Sequence, residues 1–256
     1  HALDAMTEEN AGRCEIVPSL AYAGASSSLV HRSTPLSSSL AAPRISATTP
    51  ELVERARALA ERGSRTILGI VGSPGAGKTT LCTAIESALG DDVVVVGMDG
   101  FHLDNPILIE RGRREDKGAP DTFDVAGYVS LLRRLGEATE PVTYGPRFDR
   151  EIETSIGSAI PVPQTVPLVI TEGLYLLREE EGWEEVRGLV DEMWYLELPD
   201  AVRQERLLRR RLGHGDNEEH ARDWVMRVDQ ASADRVAKTK HRADLIIEVL
   251  DNQEQA

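Results

Sequence analysis

Cysteine is almost missing from this chain: Cys14 and Cys82 are the only two in 256 residues. Two such thiols make no disulfide framework and lack the spacing of a zinc site. A reducing, cytoplasmic setting is the expectation. Positive charge is also in deficit, with 29 Lys and Arg against 43 Asp and Glu and a formal net charge of −14. Such a surface gains nothing from phosphate counterion release, which argues against a whole-surface binder of nucleic acid or acidic membrane. Long apolar runs are missing too. No window approaches the roughly 20 consecutive apolar residues that span a bilayer, so no membrane insertion is expected. Aromatic residues are few: three Trp, five Tyr and three Phe. Hydrophobic residues nevertheless make up 41% of the chain, enough for a folded globule.

Residues 1–48 stand apart in composition. Ser26, Ser27, Ser28 and Ser37, Ser38, Ser39 form two triplets among Ala, Thr and Pro, with no apolar period. The stretch lacks the basic start and continuous apolar core of a secretory signal. It reads as a disordered or non-native N-terminal segment, with 49–256 as the folded domain. A transit peptide is the alternative: the serines suit it, whereas Glu8, Glu9 and Glu15 do not.

From Pro50 the pattern is regular. Pro50 suits a first helical turn after Thr48 and Thr49, and Leu52, Ala56, Leu59 and Ala60 recur at helical spacing. Short apolar runs follow at 66–71, 93–96, 167–170, 193–196 and 244–247, separated by helical patterns near 78–89, 125–138, 200–212 and 218–238. Strands apolar throughout that alternate with helices imply an α/β fold, a parallel sheet of about five strands covered on both faces. Ligands in such sheets bind beyond the carboxyl ends of the strands.

At the end of the first run stands Gly72-Ser73-Pro74-Gly75-Ala76-Gly77-Lys78-Thr79, followed by Thr80. This is G-x-x-x-x-G-K-[ST] between a strand and a helix, the phosphate loop of P-loop NTPases. The glycines let successive N–H groups converge on phosphate oxygens, and the helix start adds its positive dipole end. Lys78 is expected to reach the β and γ phosphates of ATP and Thr79 to hold Mg²⁺. The dinucleotide fingerprint fits less well, because its third glycine falls on Thr80. A guanine-reading N/T-K-x-D segment is missing: Thr239-Lys240 has its nearest acid, Asp244, two positions too late.

After the second run comes Gly97-Met98-Asp99-Gly100-Phe101-His102. At that strand tip Asp99 lies beside the phosphate loop if the two strands are near neighbours, and could accept the proton of an attacking hydroxyl or sit behind Mg²⁺. His102 reads equally as a substrate contact or a packing residue. Asp99-Gly100-Phe101, Lys117-Gly118-Ala119-Pro120-Asp121-Thr122-Phe123-Asp124 and Thr171-Glu172-Gly173-Leu174 together resemble the uridine kinase, phosphoribulokinase and bacterial pantothenate kinase superfamily over residues 66–249. Among its members the chain is most similar to bacterial nucleoside/nucleotide kinase-like or sugar-transport-associated kinases. The resemblance implies Asp99 as catalytic base and Glu172 as the second acidic group near Mg²⁺. It also shows departures. Gly118 stands where uridine kinases carry a ribose-binding aspartate, and Thr143-Tyr144-Gly145-Pro146-Arg147-Phe148-Asp149-Arg150 reproduces neither their uracil-reading segment nor the histidine of pantothenate kinases. Both acceptors are therefore disfavoured.

The segment 144–151 reads as a Pro/Gly-flanked loop whose Tyr144, Asp149 and Arg150 are candidates for the acceptor, Asp149 for a sugar hydroxyl and Arg150 for an anionic group, unless it is a solvated turn. Lys117 is a further candidate, while Arg111 and Arg113 balance nearby acids. Arg203, Arg206, Arg209, Arg210 and Arg211 crowd one helix before Gly213-His214-Gly215. In kinases of this type such a helix leads to a mobile lid whose arginines close over the phosphates; Arg206 and Arg210 are the expected contacts. Asp229, Asp234 and Arg235 on the next helix would position the lid. The expected activity is ATP- and Mg²⁺-dependent phosphoryl transfer to an alcohol of a sugar, nucleoside or related small molecule, and a homodimer is compatible with it. Kinase action on a nucleoside monophosphate and a non-catalytic ATP-binding regulator are the alternatives.

Overall fold

A strand that is apolar at every position must be covered on both faces, and that requirement organises this chain. The computed structural model describes residues 42–250. In order, its main elements are Arg44–Thr48 (β1), Thr49–Ala60 (α1), Thr66–Gly72 (β2), Lys78–Leu89 (α2), Val93–Val95 (β3), Asn105–Glu110 (α3), Val125–Glu137 (α4), Val142–Asp149 (β4), Thr154–Pro163 (β5), Leu168–Gly173 (β6), Glu192–Glu197 (β7), Asp200–Gly213 (α5), Glu218–Trp224 (α6), Gln230–Ala237 (α7) and Leu245–Leu250 (β8). Six strands form one parallel sheet in the order β1-β8-β7-β2-β6-β3. All seven residues of β2 are buried. Ile67 and Val71 face a core that includes α4, whereas Leu68 and Ile70 face another that includes α1 and α2.

The sheet thus has six strands rather than about five, and the extra one comes from the segment read as disordered. Arg44–Thr48 pairs with β8 at the sheet edge, so ordered structure begins before residue 49. Its pattern escaped notice because only Ala47 is buried and its other positions are exposed or partly so. Residues 1–41 of that segment, with Cys14, lie outside the described residues. Thr48 ends the strand and caps α1 in a reciprocal box with Glu51, its backbone N–H donating to Glu51 Oε2 at 2.8 Å.

A second difference is the antiparallel hairpin of β4 and β5, where the sequence suggested a loop. Pro146, Pro161 and Pro163 obscured the strands. Proline donates no ladder hydrogen bond and is confined to edges and irregularities, and the register indeed shifts between Gly145 and Arg147.

The few aromatic residues are concentrated. Trp183 is fully buried, with ring centroids 5.7 Å from Phe123, 5.8 Å from Tyr128 and 5.8 Å from Tyr175, and Phe101 joins through Tyr128 at 5.2 Å. Its Nε1 donates to Pro120 O at 3.3 Å. This cluster backs the 117–124 segment, and aromatic pairs add to stability beyond the area that they bury. Trp183→Ala is expected to cost about 3–5 kcal/mol, read as a lower midpoint in urea denaturation.

Candidate active site

The carboxyl ends of β2, β6 and β3 lie side by side, so each tip delivers one functional segment to the same place. Strand β2 runs into the phosphate loop, β6 carries Glu172, and β3 leads to Asp99. Gly75 and Gly77 have φ of +80° and +92°, left-handed values that favour glycine. Helix α5 packs against this loop. A Cβ at Gly75 would stand 3.0 Å from the Arg203 and Leu207 side chains. Arg203 is buried, donating to Pro74 O at 3.2 Å, Asp200 Oδ1 at 2.9 Å and Gln230 Oε1 at 2.6 Å. It therefore ties the loop to α5 and α7, a role that the arginine run in the sequence did not distinguish.

A cleft of about 860 Å³ opens over these strand ends, within the range of small-molecule sites. Residues 74–81 line it, with Asp99, Lys117, Arg150, Glu172, Arg206 and Arg210. Gly72 and Ser73 lie below the loop and present their carbonyls to Lys78 Nζ, at 2.9 and 3.4 Å. Burial pushes the Lys78 ammonium below its ordinary value, against the pull of Glu172 and Asp99. Burial likewise raises the Glu172 carboxyl, with Lys78 opposing and Asp99 reinforcing the rise. Arg206 Nη1 stands over the loop, 3.9 Å from where a Cβ on Gly77 would be. Arg209 points away to Glu205, and Arg211 pairs with Asp216 at 2.8 Å with its guanidinium 4.5 Å from the Trp224 ring centroid.

On the acceptor side the hairpin reaches over Asp99. Arg150 Nη2 donates to Asp99 Oδ2 at 3.4 Å. Lys117 donates to Asn105 Oδ1 at 2.7 Å and Glu153 O at 2.6 Å, with Nζ 5.2 Å from the Phe148 ring centroid. Three candidates stand elsewhere. Tyr144 is 53% exposed on β4 and does not line the cleft. Asp149 closes the hairpin turn, its Oδ1 accepting from Glu151 N at 3.0 Å. His102 stacks between Phe123 and Phe148, at 4.1 and 4.7 Å, with Nδ1 2.8 Å from Asp99 O; burial lowers its pKa, which favours the neutral ring.

Sequence reasoning gave Asp229 and Arg235 only a part in positioning the lid and did not single out Trp224, Arg227 or Ser232, all of which α6, α7 and the turn between them bring to the cleft. The chain widens there into one π-helical turn, Val225–Asp229, and Trp224, Arg227, Asp229, Ser232 and Arg235 face the opening. Such a turn leaves no composition signature, although it recurs at functional sites.

One glycine sets how closely the hairpin approaches the Asp99 turn. A Cβ on Gly100 would fall 2.5 Å from Pro146 O and 2.9 Å from its carbonyl carbon. Gly100→Ala is expected to push β4 away, costing about 1–3 kcal/mol. The checks are the thermal midpoint and a raised acceptor KM with the KM for ATP unchanged.

The model of the phosphoribulokinase/uridine kinase family matches residues 67–256. The chain belongs to that family. It is 34% identical over 192 residues to YggC of Escherichia coli, an uncharacterized protein, covering 73% of this chain and 79% of the relative. It is 32% identical over 215 residues to the Schizosaccharomyces pombe protein named "Putative uridine kinase C227.14", covering 78% and 90%. The crystal structure of a "putative fructose transport system kinase" from Silicibacter sp. TM1040 superposes with a TM-score of 0.69 at 34% identity, over 78% of this chain and 98% of that one. The protein is thus a P-loop kinase, a phosphotransferase on a parallel α/β sheet. No helix among the described residues is long and apolar enough to cross a membrane.

The donor set suits the family's ligands. Mg²⁺ is usually held by one or two carboxylates together with substrate phosphates. Glu172 supplies one such carboxylate and lines the same cleft as Thr79, and its Oε1 lies 3.5 Å from a Cβ position on Gly97, two residues before Asp99.

Proposed function

We propose that this protein transfers the γ-phosphoryl group of ATP to a hydroxyl of a sugar, nucleoside or related small metabolite in the cytoplasm. The observation that carries this reading is the meeting of Asp99, Lys78 and Glu172 in one cleft, each from a different strand end. The loop amides and Lys78 hold the phosphates, and Thr79 with Glu172 would hold Mg²⁺, which supplies charge neutralisation at the phosphate oxygens when bound. Asp99 accepts the proton of the acceptor hydroxyl as its oxygen lone pair forms the new bond to the γ-phosphorus. The bond from the γ-phosphorus to the β–γ bridging oxygen breaks, and its electron pair leaves on ADP. Arg206 and Arg210 stand where charge spreads over the transferring group.

A coupled ADP-release screen over nucleosides, pantothenate, aldoses, ketoses and polyols tests the proposal, with the phosphorylated product verified by mass. ATP binding with no phosphorylated product from any acceptor would overturn it in favour of an ATP-binding regulator.

A further inference from the structure

The cleft is lined by eight basic and five acidic side chains in a chain of net charge −14. A cavity biased against the sign of the whole molecule concentrates anions. Lys78, Arg206 and Arg210 stand at the phosphate loop and serve the triphosphate. Farther along, Arg113 is paired with Asp116 and Asp121, Arg227 with Asp223 and Arg150 with Asp99. Arg235 differs. It lines the cleft from α7 and has no carboxylate partner among the described residues, although most arginines of this acidic chain have one.

Its surroundings are built. Ser232, one turn earlier on α7, also lines the cleft and meets the Tyr175 hydroxyl. Tyr175 in turn donates to Gly118 O at 2.7 Å, which fastens α7 to the Lys117–Gly118 turn. Lys117 donates to an amide oxygen and a carbonyl rather than pairing directly with a carboxylate, although Glu153 and Asp104 lie near enough to attract its charge. A second anion in the cleft is repelled by Asp99 and attracted to this wall.

We propose that the acceptor is an anionic hydroxy compound, carrying a carboxylate or phosphate besides its reacting hydroxyl, and that Arg235, Ser232 and Lys117 hold that anion. This rests on the kinase reading and narrows its substrate class. It gives Arg235 a different task from positioning the lid.

Matched acceptors test it: glycerol against glycerate and glycerol 3-phosphate, erythritol against erythronate and erythrose 4-phosphate, ribulose against ribulose 5-phosphate. The expected result is turnover of an anionic member with kcat/KM well above its neutral partner; the carboxylate and phosphate arms tell which anion is taken. Arg235→Ala should then lose about 10–100-fold through the acceptor KM. The KM for ATP should hold, activity on the neutral partner should change little, and Arg235→Lys should restore part of the loss. A preference for the neutral members, or an Arg235→Ala effect on the KM for ATP instead, overturns this inference and leaves the kinase reading standing. No phosphorylated product from any member, with product from a nucleoside or neutral sugar in the wider screen, overturns this inference alone; no product in either set overturns both.

Discussion

Asp99→Asn lowers kcat by about 10²–10⁴ while ATP affinity stays within a few-fold. The amide keeps the size and the contact with Arg150 through its oxygen, but it cannot take the acceptor's proton. The loss therefore falls on chemistry, with little change in folding. Asp99 lies in the short helical turn Met98–Phe101 after β3, where its neighbours Met98 and Gly100 are buried, so the backbone that places it does not depend on the carboxylate. Single-turnover quench with saturating ATP separates the chemical step from product release. A kcat for Asp99→Asn equal to that of the parent would remove the general base from the mechanism.

Lys78→Met is expected to lower kcat by about 10²–10³ and to weaken ATP binding at the same time. Methionine keeps the length and apolar stem of the side chain and deletes the charge that the phosphates meet. The fold should tolerate it. The ammonium is buried and held below its ordinary pKa by desolvation, and replacing it relieves that cost, although Glu172 loses a compensating charge. The expected outcome is a thermal midpoint close to the parent's in the absence of nucleotide, and a much smaller rise on adding ATP with Mg²⁺. A large nucleotide-induced rise in the variant would count against Lys78 as a phosphate ligand.

How much was legible in the sequence divides along physical lines. The phosphate loop and the acid after the second strand were read from their places at strand ends, and Glu172 from the family resemblance; the structure brings all three to one cleft. The strand–helix alternation was readable because double burial forces unbroken apolar runs. The hairpin and the edge strand were not, since strands buried on one side and interrupted by proline resemble loops. The arginine helix was partly legible. Five arginines look alike in sequence, and only the contacts separate buried Arg203, outward Arg209 and the cleft-facing Arg206 and Arg210. Arg235 was read as positioning the lid; that it lines the cleft beside Ser232 follows from one widened helical turn, which no local pattern announces. Tyr144 and Asp149 looked like ligand residues because they were polar groups in a supposed loop; once that segment is a hairpin, one faces solvent and the other closes the turn.

The pairing of β1 with β8 also bears on the order in which the protein takes shape during synthesis. Ser46 and Glu248, opposite each other in that ladder, are 202 residues apart. A nascent chain growing from its amino end cannot make this contact until β8 has left the ribosome. The entropy of closing so long a loop grows only slowly with length, so the delay weighs on timing far more than on final stability. Until then β1 remains an unpaired strand and the β8 side of the sheet an open edge, the kind of surface that recruits another chain.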